Sequence, residues 1–188
     1  ETLKEWKEAV PKGFTFAVKA SRYITHMKKL KNPEEGLKNF LGRMETLDEA
    51  LGPILFQLPP KWKVNIERLQ AFLDALPSDF QYTFEFRDPT WFHDDVYAAL
   101  EKKNAAFCIY DLEGETSPKT VTANWVYVRL HGPGAAYEGQ YSPQTLAAWA
   151  KQFKKWEQER KRIFCYFDND QNGYAPNDAL KLQKKLYE

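Results

Sequence analysis

Residues 82 to 91 read Tyr-Thr-Phe-Glu-Phe-Arg-Asp-Pro-Thr-Trp, YTFEFRDPTW. Successive side chains of a strand point to opposite faces, so Thr83, Glu85 and Arg87 share one face and Tyr82, Phe84 and Phe86 the other. One face packs and the other carries charge. A glutamate and an arginine two residues apart among aromatic neighbours are costly to bury unless paired. Such a pattern marks either a structural ion pair or a working site.

Five more β-rich runs flank this one. They are FTFAVK (Phe14–Lys19), PILFQL (Pro53–Leu58), AAFCIY (Ala105–Tyr110), VYVRL (Val126–Leu130) and IFCYFD (Ile163–Asp168). Helical spacing fills the intervals. Asn32-Pro33 starts a helix with Leu37, Phe40, Leu41, Met44 and Leu47 inward, ended by Gly52; Asn65 caps a second, which stops before Pro77. A third runs from about His93 to Lys103. Ser142-Pro143 opens the longest, whose Leu146, Trp149, Phe153 and Trp156 form a sheet-covering stripe, and Pro176 begins the last. The connection from Tyr110 to Asn124 has no helical period and reads as an irregular loop.

Strands alternating with helices imply a mostly parallel sheet, doubly wound or closed as a (β/α) barrel. Two features favour the barrel. The segments leaving strands are long and hold most of the unusual residues, whereas those entering strands are short, as when a site sits at the strand C-terminal ends. A polar residue also stands at nearly every strand end: Lys19, Gln57, Glu85 with Arg87, Asp111, Arg129 with His131, and Asp168. A doubly wound nucleotide binder needs a glycine-rich first turn, and GPGAAY at Gly132 lacks the sixth-position glycine and comes late.

The same strand ends carry a resemblance. VKASRYITH (Val18–His26), LGPILFQLPP (Leu51–Pro60), EFRDPTW (Glu85–Trp91), VRLHG (Val128–Gly132) and YFDNDQNGYAPNDA (Tyr166–Ala179) resemble the YecE-like family, domain of unknown function 72, in order and across nearly the whole chain. The resemblance implies a TIM-type barrel in which two further strands precede VKA. A complete barrel of about 250 residues uses roughly 31 per βα unit, so the 188 residues here supply about six of eight. The expectation is a single domain over residues 1–188, the C-terminal three quarters of a barrel, whose edges a missing N-terminal segment or a partner chain would complete. Glu1, lying inside an amphipathic pattern with no methionine before it, fits a beginning further upstream.

The family resemblance supplies no reaction, so function rests on side chains. Lys19, Arg87 and Arg129, with Arg22, Lys28, Lys29 and Lys31 in the first long loop, would make a positive pocket for a phosphate or carboxylate. Glu85 and Asp168 are the candidate base and acid and His131 the proton shuttle. Gln57, Asp111, Trp91, Tyr137, Asn169 and Asp170 are candidate substrate contacts, the tyrosine and tryptophan as stacking faces along with Tyr141, Tyr174 and Trp62. The bland reading of Glu85 is neutralisation of a neighbouring arginine. Asp168 to Gly173 matches the first half of a calcium loop, D-x-D-x-N-G, but position twelve is Ala179, so an anion-binding turn is favoured. A divalent metal on Glu85, His131 and Asp168 is a weaker expectation, because none of the three histidines shows paired spacing. His26 and His93 read as loop or cap residues.

Two classes remain. The first is an enzyme of hydrolase kind, using acid/base or hydrolytic chemistry on a small anionic or sugar-like substrate. The second is a binding protein for a phosphorylated ligand or single-stranded nucleic acid. Lys+Arg 27 against Asp+Glu 26 disfavours a general nucleic-acid or membrane binder and points to a small ligand. Cys108 and Cys165 lie in apolar runs and read as buried free thiols. With no long apolar run and no signal pattern, the expected location is cytoplasmic.

Overall fold

The computed structural model describes residues 2–187; Glu1, read above as opening inside a helical pattern, and Glu188 lie outside the described residues. The chain forms two compact units, one up to Ala105 and one from Ala106 onward.

The first unit carries α1 (Thr2–Ala9), β1 (Phe16–Lys19), α2 (Glu34–Met44), β2 (Leu51–Gln57), α3 (Ile66–Ala75), β3 (Tyr82–Glu85) and α4 (Asp94–Lys102). Its three strands are parallel, β1 on β2 and β2 on β3. Paired residues of parallel strands share a face. Register therefore puts Lys19, Leu55 and Thr83 in one row and Gln57 beside Glu85 in the next, all on one face. The opposite face is aromatic. Phe56 lies 5.1 Å edge-on from Phe72 of α3 and 5.3 Å stacked from Phe84.

Helix starts follow the expected capping. Asn65 Oδ1 accepts from Arg68 N at 2.9 Å, and His93 Nδ1 from Asp95 N at 3.2 Å. Two boundaries differ from the sequence reading. The first β run is strand only from Phe16, with a bulge between Phe16 and Val18 and Phe14 left exposed. The helix expected to run up to Gly52 stops at Met44, gives way to 3-10 turns over Glu45–Ala50, and leaves Gly52 inside β2. Gly52 serves close approach: a Cβ there would sit 2.4 Å from Thr15 Cγ2 and 3.0 Å from the Phe16 carbonyl oxygen.

The second unit holds β4 (Ala106–Leu112), β5 (Glu115–Thr116), β6 (Trp125–Leu130), α5 (Pro143–Gln158), β7 (Arg162–Phe167) and α6 (Tyr174–Tyr187). β4, β6 and β7 are parallel neighbours. The supposed irregular loop after Tyr110 is partly regular. β5 doubles back antiparallel on β4 through a two-residue turn with positive φ at both Glu113 (55°) and Gly114 (79°), the geometry that matches hairpin twist. Beyond it, Ser117 Oγ and Thr122 Oγ1 accept the Tyr110 and Phe107 amides at 2.9 and 2.8 Å. Ser142 caps α5, accepting from Thr145 N at 3.0 Å, and Leu146, Trp149, Phe153 and Trp156 are buried as expected. The last helix starts at Tyr174, two residues before Pro176, which the first turn of a helix tolerates.

Candidate functional site

In the first unit the polar face is buried along β3 and opens toward β1. Glu85 and Thr83 are fully buried, and the Arg87 side chain is 9% exposed. A carboxylate at that depth requires a cation, and Arg87 Nε donates to Glu85 Oε1. Gln57 is half-buried beside Glu85 and Lys19 is exposed at the end of β1. Trp91 is not an exposed stacking face. It is 1% exposed, stacks on Phe86 at 4.8 Å, and donates from Nε1 to the Trp62 carbonyl at 2.6 Å. The turn Pro89–Trp91 that places it is capped by Asp88, whose carboxylate accepts from Thr90 N and Oγ1 and is thereby held below its ordinary pKa.

In the second unit β6 and β7 bring three predicted residues together. Asp168 Oδ2 lies 2.9 Å from Arg129 Nη2 and 3.2 Å from His131 Nδ1. His131 is fully buried, and the Arg129 and Asp168 side chains are 13% and 27% exposed. The sequence arranges this by parity: Arg129 and His131 are two apart at the end of β6, and Asp168 N donates to the Leu130 carbonyl, bringing its side chain alongside. Two rings stand edge-on to the imidazole, Tyr137 at 5.4 Å and Tyr110 at 6.4 Å.

Tyr137 is 49% exposed and sits at φ 67°, a region costly for a non-glycine residue. Its loop is tied down at several points. Tyr137 N donates to the His131 carbonyl at 2.7 Å, Gly132 N to Tyr141 Oη at 2.9 Å, and Tyr141 N to Asp178 Oδ2 at 2.9 Å. Asn169 Nδ2 donates to the Gly139 carbonyl and to Asp178 Oδ2 at 2.9 and 3.0 Å. Asn169 is therefore a buried loop tie, and Tyr141, 2% exposed, is a packed anchor with its phenol pushed up by burial.

Asp111 departs from expectation. Tyr110 is in register with Arg129, whereas Asp111 is in register with Leu130, so Asp111 points to the face opposite Arg129 and His131. There it is 7% exposed, its Oδ1 has no hydrogen-bond partner, and burial raises its carboxyl to about 6 against the opposing pull of Lys119. Asp170 is exposed, and its carbonyl accepts from Gly173 N at 3.0 Å. The Asp168 carboxylate turns to Arg129 and His131. Among the described residues no group of three or more His, Cys, Asp or Glu is placed to hold a metal ion. Cys108 is a buried thiol as expected, whereas Cys165 is only half-buried; desolvation, with nearby Asp168, pushes the Cys165 thiol up.

Sequence reasoning missed Tyr110 and Asp178. Tyr110 was hidden by its neighbour Asp111, because only the register says which of the two faces Arg129. Asp178 carried a usable signal: it lies three residues after Ala175 and four before Leu182 on the buried stripe of α6.

The family model for "Protein of unknown function DUF72" matches residues 1–188. Over 93 residues the chain is 32% identical to the UPF0759 protein YecE of Escherichia coli (strain K12), covering 49% of this chain and 34% of that protein. The chain thus spans about a third of the YecE length. With the UPF0759 protein YunF of Bacillus subtilis (strain 168) it shares 24% identity over 217 residues, 97% of this chain and 77% of that one. The crystal structure of a DUF72 family protein from Thermotoga maritima MSB8 superposes with a TM-score of 0.88 at 26% identity, covering 98% of this chain and 78% of that chain. One from Enterococcus faecalis V583 gives 0.86 at 23% identity, covering 100% and 79%. No helix is long and apolar enough to cross a membrane among the described residues. With its parallel strands alternating with helices, the fold is α/β, a partial TIM-type barrel, and the chain belongs to the DUF72 family.

Proposed function

We propose that the second unit carries an acid/base centre acting by hydrolytic chemistry on a small anionic or sugar-like substrate, with His131 as the proton-transferring group. The observation that supports this reading is the shared Asp168 carboxylate between Arg129 Nη2 and His131 Nδ1. A carboxylate facing Nδ1 favours the tautomer with its proton there. In a hydrolysis, Asp168, whose side chain is 27% exposed where His131 is fully buried, takes the proton of the attacking water and returns it to the leaving group, with His131 behind it as the shuttle that shares that proton. Arg129 orients the carboxylate and offers further N–H donors to an oxyanion. Tyr137, half-exposed and edge-on to the imidazole, supplies an apolar face for a substrate ring. Glu85 has the companion role in the first unit of fixing Arg87.

The test is a hydrolase screen of the protein on phosphoester and glycoside panels, repeated with His131→Asn. Turnover that falls at least about a hundredfold in the variant, with the thermal unfolding transition preserved, is the expected result. A substrate hydrolysed equally well by both proteins would remove His131 from the chemistry.

A further inference from the structure

Asp178, on the inner stripe of α6, is fully buried, and the acid/base reading leaves it without a part. A carboxylate at that depth needs hydrogen-bond donors or a cation. It has both. Oδ1 lies 3.3 Å from the Nζ of Lys181, an exposed lysine one turn further along the helix. Oδ2 accepts from two N–H groups, Tyr141 N at 2.9 Å and Asn169 Nδ2 at 3.0 Å. These donors belong to different connections. Tyr141 lies at the end of the segment that leads from β6 to α5, whereas Asn169 lies at the start of the one that leads from β7 to α6. One buried oxygen therefore joins the chain beyond β6 to the chain beyond β7.

Both arms lead to the acid/base pair. Asn169 directly follows Asp168, and its Nδ2 also donates to the Gly139 carbonyl at 2.9 Å. Its Oδ1 has no hydrogen-bond partner among the described residues, so the amide is held through Nδ2 alone. On the other arm Tyr141 Oη accepts from Gly132 N at 2.9 Å, and Gly132 directly follows His131. The chain is tightly enclosed there: a Cβ on Gly132 would stand 2.2 Å from the Glu138 carbonyl oxygen. We infer that Asp178 is a positioning residue, which holds the ends of β6 and β7 in step so that His131 Nδ1 stays 3.2 Å from Asp168 Oδ2. That contact is already at the long end of an N–H···O bond, and a shift of about half an ångström at either strand end would open it. A proton is shared across it only at hydrogen-bond distance. The part Asp178 plays in catalysis rests on the hydrolytic reading; its part in the geometry rests on the hydrogen bonds alone.

Ring nitrogen chemical shifts of His131 in the isotope-labelled protein test this without any turnover. The parent should report a single Nδ1–H tautomer. Asp178→Ala should give a mixture, and Asp178→Asn, whose side-chain carbonyl can accept from both N–H groups, should restore the parent signature. Asn169→Ala removes one arm and keeps the buried carboxylate; it should also give a mixture, and it stays readable if Asp178→Ala does not fold. Thr122→Val deletes the buried acceptor of Phe107 N, a tie elsewhere in the same unit, and should lower the melting temperature with the His131 ring unchanged. Where a substrate is turned over, kcat should fall about tenfold or more in Asp178→Ala, with KM little changed, and recover in Asp178→Asn. A mixture already in the parent, a parent-like ring in both alanine variants, a mixture in Thr122→Val, or no recovery in Asp178→Asn would reduce Asp178 to a fold tie and overturn the proposal. A protein inactive on the hydrolase panels but showing the expected ring pattern would instead sink the hydrolytic reading and leave the positioning role standing.

Discussion

Replacing Asp168 with Asn keeps shape and removes the charge on which Arg129 and His131 converge. Each contact is short, 2.9 and 3.2 Å, and the His131 end is fully buried. Breaking a fully buried ion pair costs about 3–5 kcal/mol. The Asp168 side chain is 27% exposed, so water recovers part of that loss. Asparagine also still offers one acceptor, which can serve Arg129 or His131 and not both. The expected destabilisation is about 2 kcal/mol, read from urea unfolding midpoints at an unchanged m-value. The chemical signature is more specific than the energy. Nitrogen chemical shifts of the His131 ring should report an Nδ1–H tautomer in the parent and a mixture in Asp168→Asn. In a cycle with Arg129→Gln the two losses should fail to add by about 1 kcal/mol. Additivity within about 0.5 kcal/mol together with an unchanged tautomer would refute the shared-carboxylate argument.

Two further outcomes follow from buried groups away from that cluster. Asp111, with its carboxyl raised from 3.8 to about 6, binds a proton more tightly folded than unfolded. Stability of the parent should therefore fall as pH rises from about 4 to about 6 and then level off; Asp111→Asn should abolish that fall, matching the parent near pH 4 and exceeding it by up to about 3 kcal/mol at pH 7. Thermal unfolding across that pH range measures it, and parallel curves for the two proteins would contradict it. Gly52→Ala should cost about 1–3 kcal/mol because its methyl meets Thr15 Cγ2 and the Phe16 carbonyl, with part of the loss recovered by adding Thr15→Ser, as melting temperatures of the three variants would reveal.

The sequence was most readable where one residue type permits one geometry. Asn65, His93 and Ser142 sit before helices as acceptors for unpaired amides, and all three cap as their positions suggest. The stripe from Leu146 to Trp156 has only one buried orientation available. Gly52 was misread because glycine after a helical pattern signals a stop, yet here it answers a contact with Thr15 and Phe16, thirty-odd residues away in sequence. No local pattern encodes that. The β4–β5 hairpin was hidden for a different reason: Glu113-Gly114 lacks the Asn or Asp usual at such turns, and β5 is too short to show alternation.

The candidate site was legible as a set of residues and illegible as a set of faces. Reading every polar strand end as converging treats Asp111 like Arg129, but one step along β4 changes the face, and only the Tyr110–Arg129 pairing decides it. The charge argument shifts as well. Summing Lys19, Arg87 and Arg129 into one positive pocket ignores that a buried guanidinium brings its own counter-charge. Arg87 has Glu85 and Arg129 has Asp168, so each unit neutralises the arginine it buries.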